Sequence, residues 1–267
     1  MLFNQDFPSP NYEKRQKEIQ YVIFHYTEIS FDEAVQKLTQ DAGPCSVSAH
    51  FLVKKDGEVF QLVSEENVAW HAGVSHWRGE DKINHSSIGI EIDNLGREQF
   101  TEEQISSCLS LCAYLKAKYH IKTNNFLGHS DIAPDRKIDP GFYFPWHLFA
   151  EKGFGAWSNQ SAQGDDAVLY QFGDKGAHIS ELQSNLQQFG YKITITKQFD
   201  MQTNYVVRAF LSRFCPEEVE KLGIDYYFSP DSKYKWSQKA ELILATLLKE
   251  DFIENVDVDI VLGSSDS

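Results

Sequence analysis

Residues 20–26, QYVIFHY, form a continuous apolar run of strand length that ends close after a histidine, His25. Just beyond the run, Ser30 and Glu33 make an S-x-x-E capping box ahead of Phe31, Val35 and Leu38, which share a helical face. The pattern predicts a strand followed directly by a helix. Working outward, 49–54 and 58–63 flank Asp56-Gly57, a tight-turn dipeptide in which glycine supplies a positive φ, so these segments read as a β-hairpin. Residues 87–92, SIGIEI, read as a further strand with Ile88, Ile90 and Ile92 on one face and Glu91 on the other. Thr101 and Gln104 cap a long helix whose apolar positions Ile105, Cys108, Leu109, Cys112 and Leu115 recur at helical spacing. A short strand, 126–128, then enters a loop with two prolines. The fold class that follows is α/β: a mixed β-sheet flanked by helices, occupying 1–157.

Past this unit the composition changes. Residues 158–170 are polar and aperiodic, as a linker is. Over 171–252 three amphipathic patterns predict a small three-helix domain. The first carries Ile179, Leu182, Leu186 and Phe189 and stops at Gly190; the second is capped by Asp200 and carries Val206, Val207, Phe210 and Phe214. The third is capped by Ser237 and carries Ala240, Ile243, Leu244 and Leu247. Residues 253–267, ending GSSDS, read as a frayed tail.

Composition excludes several functions. With 25 basic against 39 acidic side chains, a net charge of -14 and no basic stripe, the chain would repel a phosphate backbone, so nucleic acid is not an expected partner. No apolar run approaches the roughly 20 residues that span a bilayer. The segment 1–10, MLFNQDFPSP, lacks the basic and apolar regions of a secretion signal. That favours the cytoplasm, with the periplasm or cell envelope as the alternative. Four scattered cysteines, Cys45, Cys108, Cys112 and Cys215, do not make a disulfide framework, and reduced thiols are expected. Cys108 and Cys112 lie four apart among leucines and an isoleucine, a setting that favours burial over metal binding.

The chemistry-bearing residues are concentrated in the first unit. His25 closes the first strand, and GHSDIAPDRKIDPG, 128–141, places His129 and Asp139 around a proline-stiffened loop. Two imidazoles and one carboxylate are a recognised set for catalytic zinc, filling three tetrahedral positions and leaving the fourth for water. Nine histidines offer many such triples, so spacing alone does not select this one.

The segments VIFHYT, SAHFLV, DGEVFQLV, AWHAGVS, SIGIEI and GHSDIAPDRKIDPG occur in that order from about residue 18 to 150. In this the chain resembles the zinc N-acetylmuramoyl-L-alanine amidases, whose fold is shared with animal peptidoglycan recognition proteins and a phage lysozyme. The resemblance implies one Zn2+ per chain held by His25, His129 and Asp139, with Glu91 and Lys137 as catalytic residues. Glu91 would take a proton from the attacking water and pass it to the leaving nitrogen, and Lys137 would stabilise the developing oxyanion. Strand alternation supports Glu91, because its isoleucine neighbours face the other way.

His50, Trp70 and His71 match segments that border the family's cleft, and Arg78 and Asn84 fall where its cleft loop lies. These five are the candidate substrate-binding residues. For His50 a buried, backbone-bonded role is the alternative; for Trp70 it is packing, and for Arg78 and Asn84 ordinary loop polarity. The motif L-Q-x-x-L-x-x-x-G-Y, 182–191, with V-V-R-A-F, 206–210, resembles the small three-helix peptidoglycan-binding domain, although a buttress would show the same periodicity. The implied activity is hydrolysis of the amide between N-acetylmuramic acid and L-alanine, in peptidoglycan polymer or in 1,6-anhydro-muropeptides. A non-catalytic peptidoglycan recognition module is the competing function, and a zinc hydrolase for another amide is the third.

Overall fold

The computed structural model describes residues 3–158 and 166–262. Backbone contacts divide the chain into two compact units, Met1–Ala156 and Trp157–Ser267.

In the first unit, β1 (Tyr12–Lys14) precedes β2 (Tyr21–Tyr26), all six of whose residues are buried. Helix α1 (Phe31–Thr39) follows, and the Glu33 carboxylate accepts from both the backbone N–H and the hydroxyl of Ser30. Strands β3 (Phe51–Val53) and β4 (Val59–Gln61) pair antiparallel, and the turn between them closes through Gly57 N–H to Lys54 O at 2.9 Å. Next come β5 (Asn67–Ala69), a small hairpin of β6 (His76–Trp77) and β7 (Glu80–Asp81), and β8 (Ser87–Ile92). Helix α2 (Glu102–Tyr119) starts at the reciprocal Thr101–Gln104 cap, leads to β9 (Phe126–Gly128), and is followed by the short α3 (His129–Ile132) and α4 (Trp146–Glu151).

The central sheet has the order β4-β3-β8-β2-β9, in which β3, β8, β2 and β9 run parallel and only β4 is antiparallel. It is the mixed sheet with flanking helices that the periodicity predicts. Parallel strands place helices on both faces and leave a crevice outside their carboxyl ends, where such folds carry their ligands. On the face opposite His25, Phe24 packs into Phe144, Trp146 and Phe149 with ring centroids 4.8, 5.6 and 5.3 Å away. Burying each such ring contributes roughly 2–3 kcal/mol, so β2 is anchored next to its functional residue. Cys108 and Cys112 are buried in α2, and burial pushes the Cys108 thiol up to about 12, as expected of core thiols rather than ligands.

The second unit begins with β10 (Val168–Gln171), which pairs antiparallel with β11 (Lys235–Ser237). Between them lie α5 (Ala177–Phe189), α6 (Met201–Phe214), α7 (Pro216–Leu222) and α8 (Ile224–Phe228); α9 (Gln238–Leu262) ends the described chain. The three expected helices are present as α5, α6 and α9. Asp200 accepts from Thr203 N–H at 3.0 Å and Ser237 from Ala240 N–H at 3.1 Å.

Three expectations need correction. The unit is more than three helices, since Pro216 and Gly223 break the 215–228 stretch into two short helices that lack a long apolar stripe. The segment assigned to a linker ends inside β10, and its core, 159–165, lies outside the described residues. The tail placed at 253 is helical to Leu262, because no glycine or proline interrupts the sequence between Gln238 and Gly263; GSSDS itself lies outside the described residues.

Candidate active site

His25 is carried near the end of β2, and its register partner on the adjacent parallel strand β8 is Glu91. Because register neighbours point to the same face, both side chains emerge above the carboxyl ends of the sheet. His129 follows β9, which pairs with the other edge of β2. Asp139 returns to this point because the 128–139 loop is closed by Ser130 N–H to Asp139 O at 2.8 Å and by Gly128 N–H to the Asp131 carboxylate at 2.8 Å. The Asp139–Pro140 peptide is cis.

Three atoms converge. His25 Nδ1 lies 2.9 Å from His129 Nδ1 and 3.0 Å from Asp139 Oδ2, and His129 Nδ1 lies 3.0 Å from the same oxygen. All three residues are buried. For metal–ligand bonds of about 2 Å, the edge of a tetrahedron is about 3.3 Å, so this triangle is nearly the right size for a cation. The hydrogen bonds behind the rings favour the same conclusion. His129 Nε2 lies 3.2 Å from Ala72 O, which can only accept, so the proton of a neutral His129 sits on Nε2 and Nδ1 is bare. In that tautomer the cluster turns a bare ring nitrogen and a carboxylate toward one point, a donor set suited to a cation. His25, His129 and Asp139 therefore form a possible metal-binding site, and the chemistry of the donor set fits zinc.

Electrostatics agree. Burial first, then proximity to His129 and last Lys137, lower His25 to about 4, with Asp139 opposing, so its imidazole is neutral near pH 7. Burial alone would raise Asp139; its contacts with His129 first and His25 second, through electrostatics and hydrogen bonds, outweigh it and hold the carboxylate ionised. Glu91 is perturbed the other way: burial first and the charge of Asp139 second push it up to about 8, against the pull of Lys137 and Lys37. Its side chain is partly exposed as a whole, yet Oε2 is enclosed and without a hydrogen-bond partner. Lys137 is half-buried, and its charge acts on both His25 and Glu91.

The five candidate substrate contacts separate. His50 is fully buried; its Nδ1 accepts from Gly89 N–H at 3.0 Å and its Nε2 lies 3.1 Å from Asn67 O. Both nitrogens are engaged by backbone, which is the arrangement of the buried, backbone-bonded alternative. His71 is buried with Nδ1 3.0 Å from His25 Nε2, so it faces a candidate ligand from behind. Asn84 also turns inward: its Oδ1 accepts from the backbone N–H of His71 at 3.2 Å and Ala72 at 2.7 Å. Arg78 is exposed at the β6–β7 turn with φ 46, and its charge acts on Tyr21, at the opposite end of β2 from His25. Trp70 is half-buried, and its backbone N–H donates to Ser48 Oγ at 2.8 Å. Two contributors carry no signal in the sequence. Arg15 donates to the carbonyls of Glu65, His85, Asn67 and Ser87 at 2.8–3.0 Å and so ties the strands behind the site. Arg136 donates to Val74 O at 3.0 Å through Nε and also to Ala72 O.

A carboxyl group with one enclosed oxygen thus stands beside a His-His-Asp cluster at the carboxyl ends of parallel strands, the place where such sheets carry their ligands. Comparison with known proteins names the group. The family model described as N-acetylmuramoyl-L-alanine amidase matches residues 15–142. The N-acetylmuramoyl-L-alanine amidase AmiD of Escherichia coli is 34% identical over 218 residues, 74% of this chain and 75% of that protein. The 1,6-anhydro-N-acetylmuramyl-L-alanine amidase AmpD of Haemophilus influenzae is 32% identical over 160 residues, 53% of this chain and 87% of its own length. The structure of E. coli AmiD in complex with the substrate anhydro-N-acetylmuramic acid-L-Ala-D-γ-Glu-L-Lys superposes with a TM-score of 0.72 at 30% identity, covering 88% of this chain and 93% of that one. The chain belongs to the N-acetylmuramoyl-L-alanine amidase family, and its function is that family's: hydrolysis of the amide joining N-acetylmuramic acid to L-alanine. Among the described residues no helix is long and apolar enough to cross a membrane.

Proposed function

We propose that this amidase is zinc-dependent, that His25, His129 and Asp139 hold one Zn2+ per chain, and that Glu91 and Lys137 carry the proton and charge chemistry. The observation behind this reading is the convergence of His25 Nδ1, His129 Nδ1 and Asp139 Oδ2 within 3.0 Å of one another, with Glu91 the register neighbour of His25. Zinc, when bound, polarises a carbonyl and lowers the pKa of a water to about 7. Glu91 accepts the proton of the attacking water and delivers it to the departing alanine nitrogen, which would otherwise leave as a poor amide anion. Its raised pKa, about 8, suits a group that must both take and give a proton near neutrality. The Lys137 ammonium stands where its charge already reaches Glu91 and His25, and it stabilises the negative oxygen that develops on the attacked carbonyl. The products are a muramic acid carboxylate and a stem peptide with a free amino terminus on alanine.

For substrate we propose 1,6-anhydro-muropeptides. AmpD is named for that bond in the anhydro sugar, and AmiD was solved with an anhydro-muropeptide in place. Separate digestion of anhydro-muropeptides and intact sacculi, read by mass spectrometry, tests both parts. The expected result is release of the intact stem peptide from the anhydro substrate at the higher rate. Cleavage between sugars or loss of an acetyl group would overturn the mechanism, and a faster rate on sacculi would overturn the substrate assignment.

A further inference from the structure

We infer that His71 and Ala72, two adjacent residues of one loop, form a brace that sets the proton positions of both metal-binding imidazoles, and that Asn84 and Arg136 clamp this brace. The inference rests on the reading of His25, His129 and Asp139 as zinc ligands. It reassigns His71 and Asn84 from the substrate to the metal.

A histidine that binds metal through Nδ1 must carry its proton on Nε2, and what receives that proton fixes the tautomer and the tilt of the ring. For His129 the acceptor is Ala72 O, 3.2 Å from Nε2. For His25 it is His71 Nδ1, 3.0 Å from Nε2. With His71 Nδ1 accepting, its own proton lies on Nε2, 3.2 Å from Ser87 Oγ, and the hydroxyl completes the chain. Consecutive residues thus supply both acceptors, and a shift of this loop would disturb both ligands together.

The loop is held accordingly. Asn84 Oδ1 accepts the N–H groups of His71 and Ala72, fixing the peptide planes of the brace. Arg136 spans Ala72 O and Val74 O, so Ala72 O accepts from Arg136 and His129 at once. Gly73 has φ +57, and a Cβ there would lie 3.1 Å from Arg136 Nη2. Under His71, Gly89 supplies the seat: a Cβ on Gly89 would fall 2.3 Å from His71 Cγ, so the ring occupies space that a side chain on β8 would take. None of Asn84, Arg136, Gly89 or Ser87 is among the three candidate ligands.

The test measures zinc affinity of the full chain by chelator competition, together with KM and kcat at saturating zinc, for wild type, His25→Ala, His71→Phe, Asn84→Ala and Asn84→Asp. Loss of an outer-shell partner of this kind weakens metal binding about 10–100-fold, and that is expected for His71→Phe and Asn84→Ala. Asn84→Asp, which keeps an oxygen facing both N–H groups, should recover most of the affinity, and KM should move little in any of the three. Wild-type affinity in His71→Phe and Asn84→Ala with a raised KM would overturn the inference and return both residues to substrate binding. If His25→Ala also bound zinc like wild type, the zinc assignment itself would fall, which separates the two failures. Nitrogen-15 NMR of zinc-loaded wild type adds a refuting test that needs no variant. Both ligand histidines should show a protonated, hydrogen-bonded Nε2, and absence of that proton on either one would refute the brace.

Discussion

Glu91→Gln should make the metal-stripped protein more stable while disabling it. The Glu91 carboxyl is pushed up to about 8 from an ordinary value of 4.5, chiefly by burial and then by Asp139. Since the folded value lies above the unfolded one, folding takes up a proton between the two; the stability it leaves intact below about 4.5 is lost as pH rises through about 8. Each pH step in that window costs about 1.4 kcal/mol, so at pH 7 the wild-type carboxyl costs folding about 3 kcal/mol. Glutamine has the same shape and no proton to gain. Its amide meets the same enclosed Oε2 position without a partner, a penalty the protonated acid already bears, so most of the gain should remain. The melting temperature of the chelator-treated Gln variant should exceed wild type by about 5 °C or more at pH 7, and the difference should close toward pH 4.5. On the zinc-loaded enzyme, kcat should fall by about 10²-fold or more with zinc occupancy unchanged. Equal melting temperatures at pH 7, or a gap that does not vary with pH, would refute the burial argument; undiminished turnover would refute the proton-carrier role.

Asp139→Ala removes the only anion of the cluster and leaves two imidazoles, so zinc content after purification, measured by elemental analysis, should fall well below one per chain. Retention of a full equivalent would refute the ligand assignment. A chain ending at Ala156, the boundary of the first compact unit, should hydrolyse small muropeptides at close to the full-length rate and bind sacculi less well. Undiminished sacculus binding would remove the attachment role from the second unit.

The sheet was legible because its strands announce themselves by uninterrupted or alternating apolar runs, and parallel pairing makes each run buried on both faces. His25 and Glu91 could be placed from the same periodicity: one closes such a run, and the other is the polar side chain left over when three isoleucines face inward. His129 and Asp139 were singled out by the resemblance carried in GHSDIAPDRKIDPG, since no spacing rule says that such a loop returns to β2. The short helices α7 and α8 were not legible, since five to seven residues carry too little periodicity to register against a longer neighbour. Arg15 was missed for a different reason. Its partners are four main-chain carbonyls, and a carbonyl has the same signature in every residue of a sequence.

The same holds for polar side chains at the rim of the site. Polar residues in a segment that borders a cleft are naturally read as facing a ligand, and the alternative, that they face the backbone of the cleft itself, leaves no trace in residue type. Asn84 is the plain case: an amide suited to grip a peptide does grip one, the chain's own peptide at 71–72. His50 likewise spends both ring nitrogens on main-chain groups. The chemistry of this site demands such a shell. On the zinc reading, two imidazole nitrogens and a carboxylate must be held bare of protons within 3.0 Å of one another, beside a carboxyl group proposed to take a proton and give it back. Left to themselves, the imidazoles would turn an N–H toward the carboxylate and the cluster would close on itself. With the protons on the far side of both rings, through Ala72 O and His71 as inferred above, the near side would stay open to a cation.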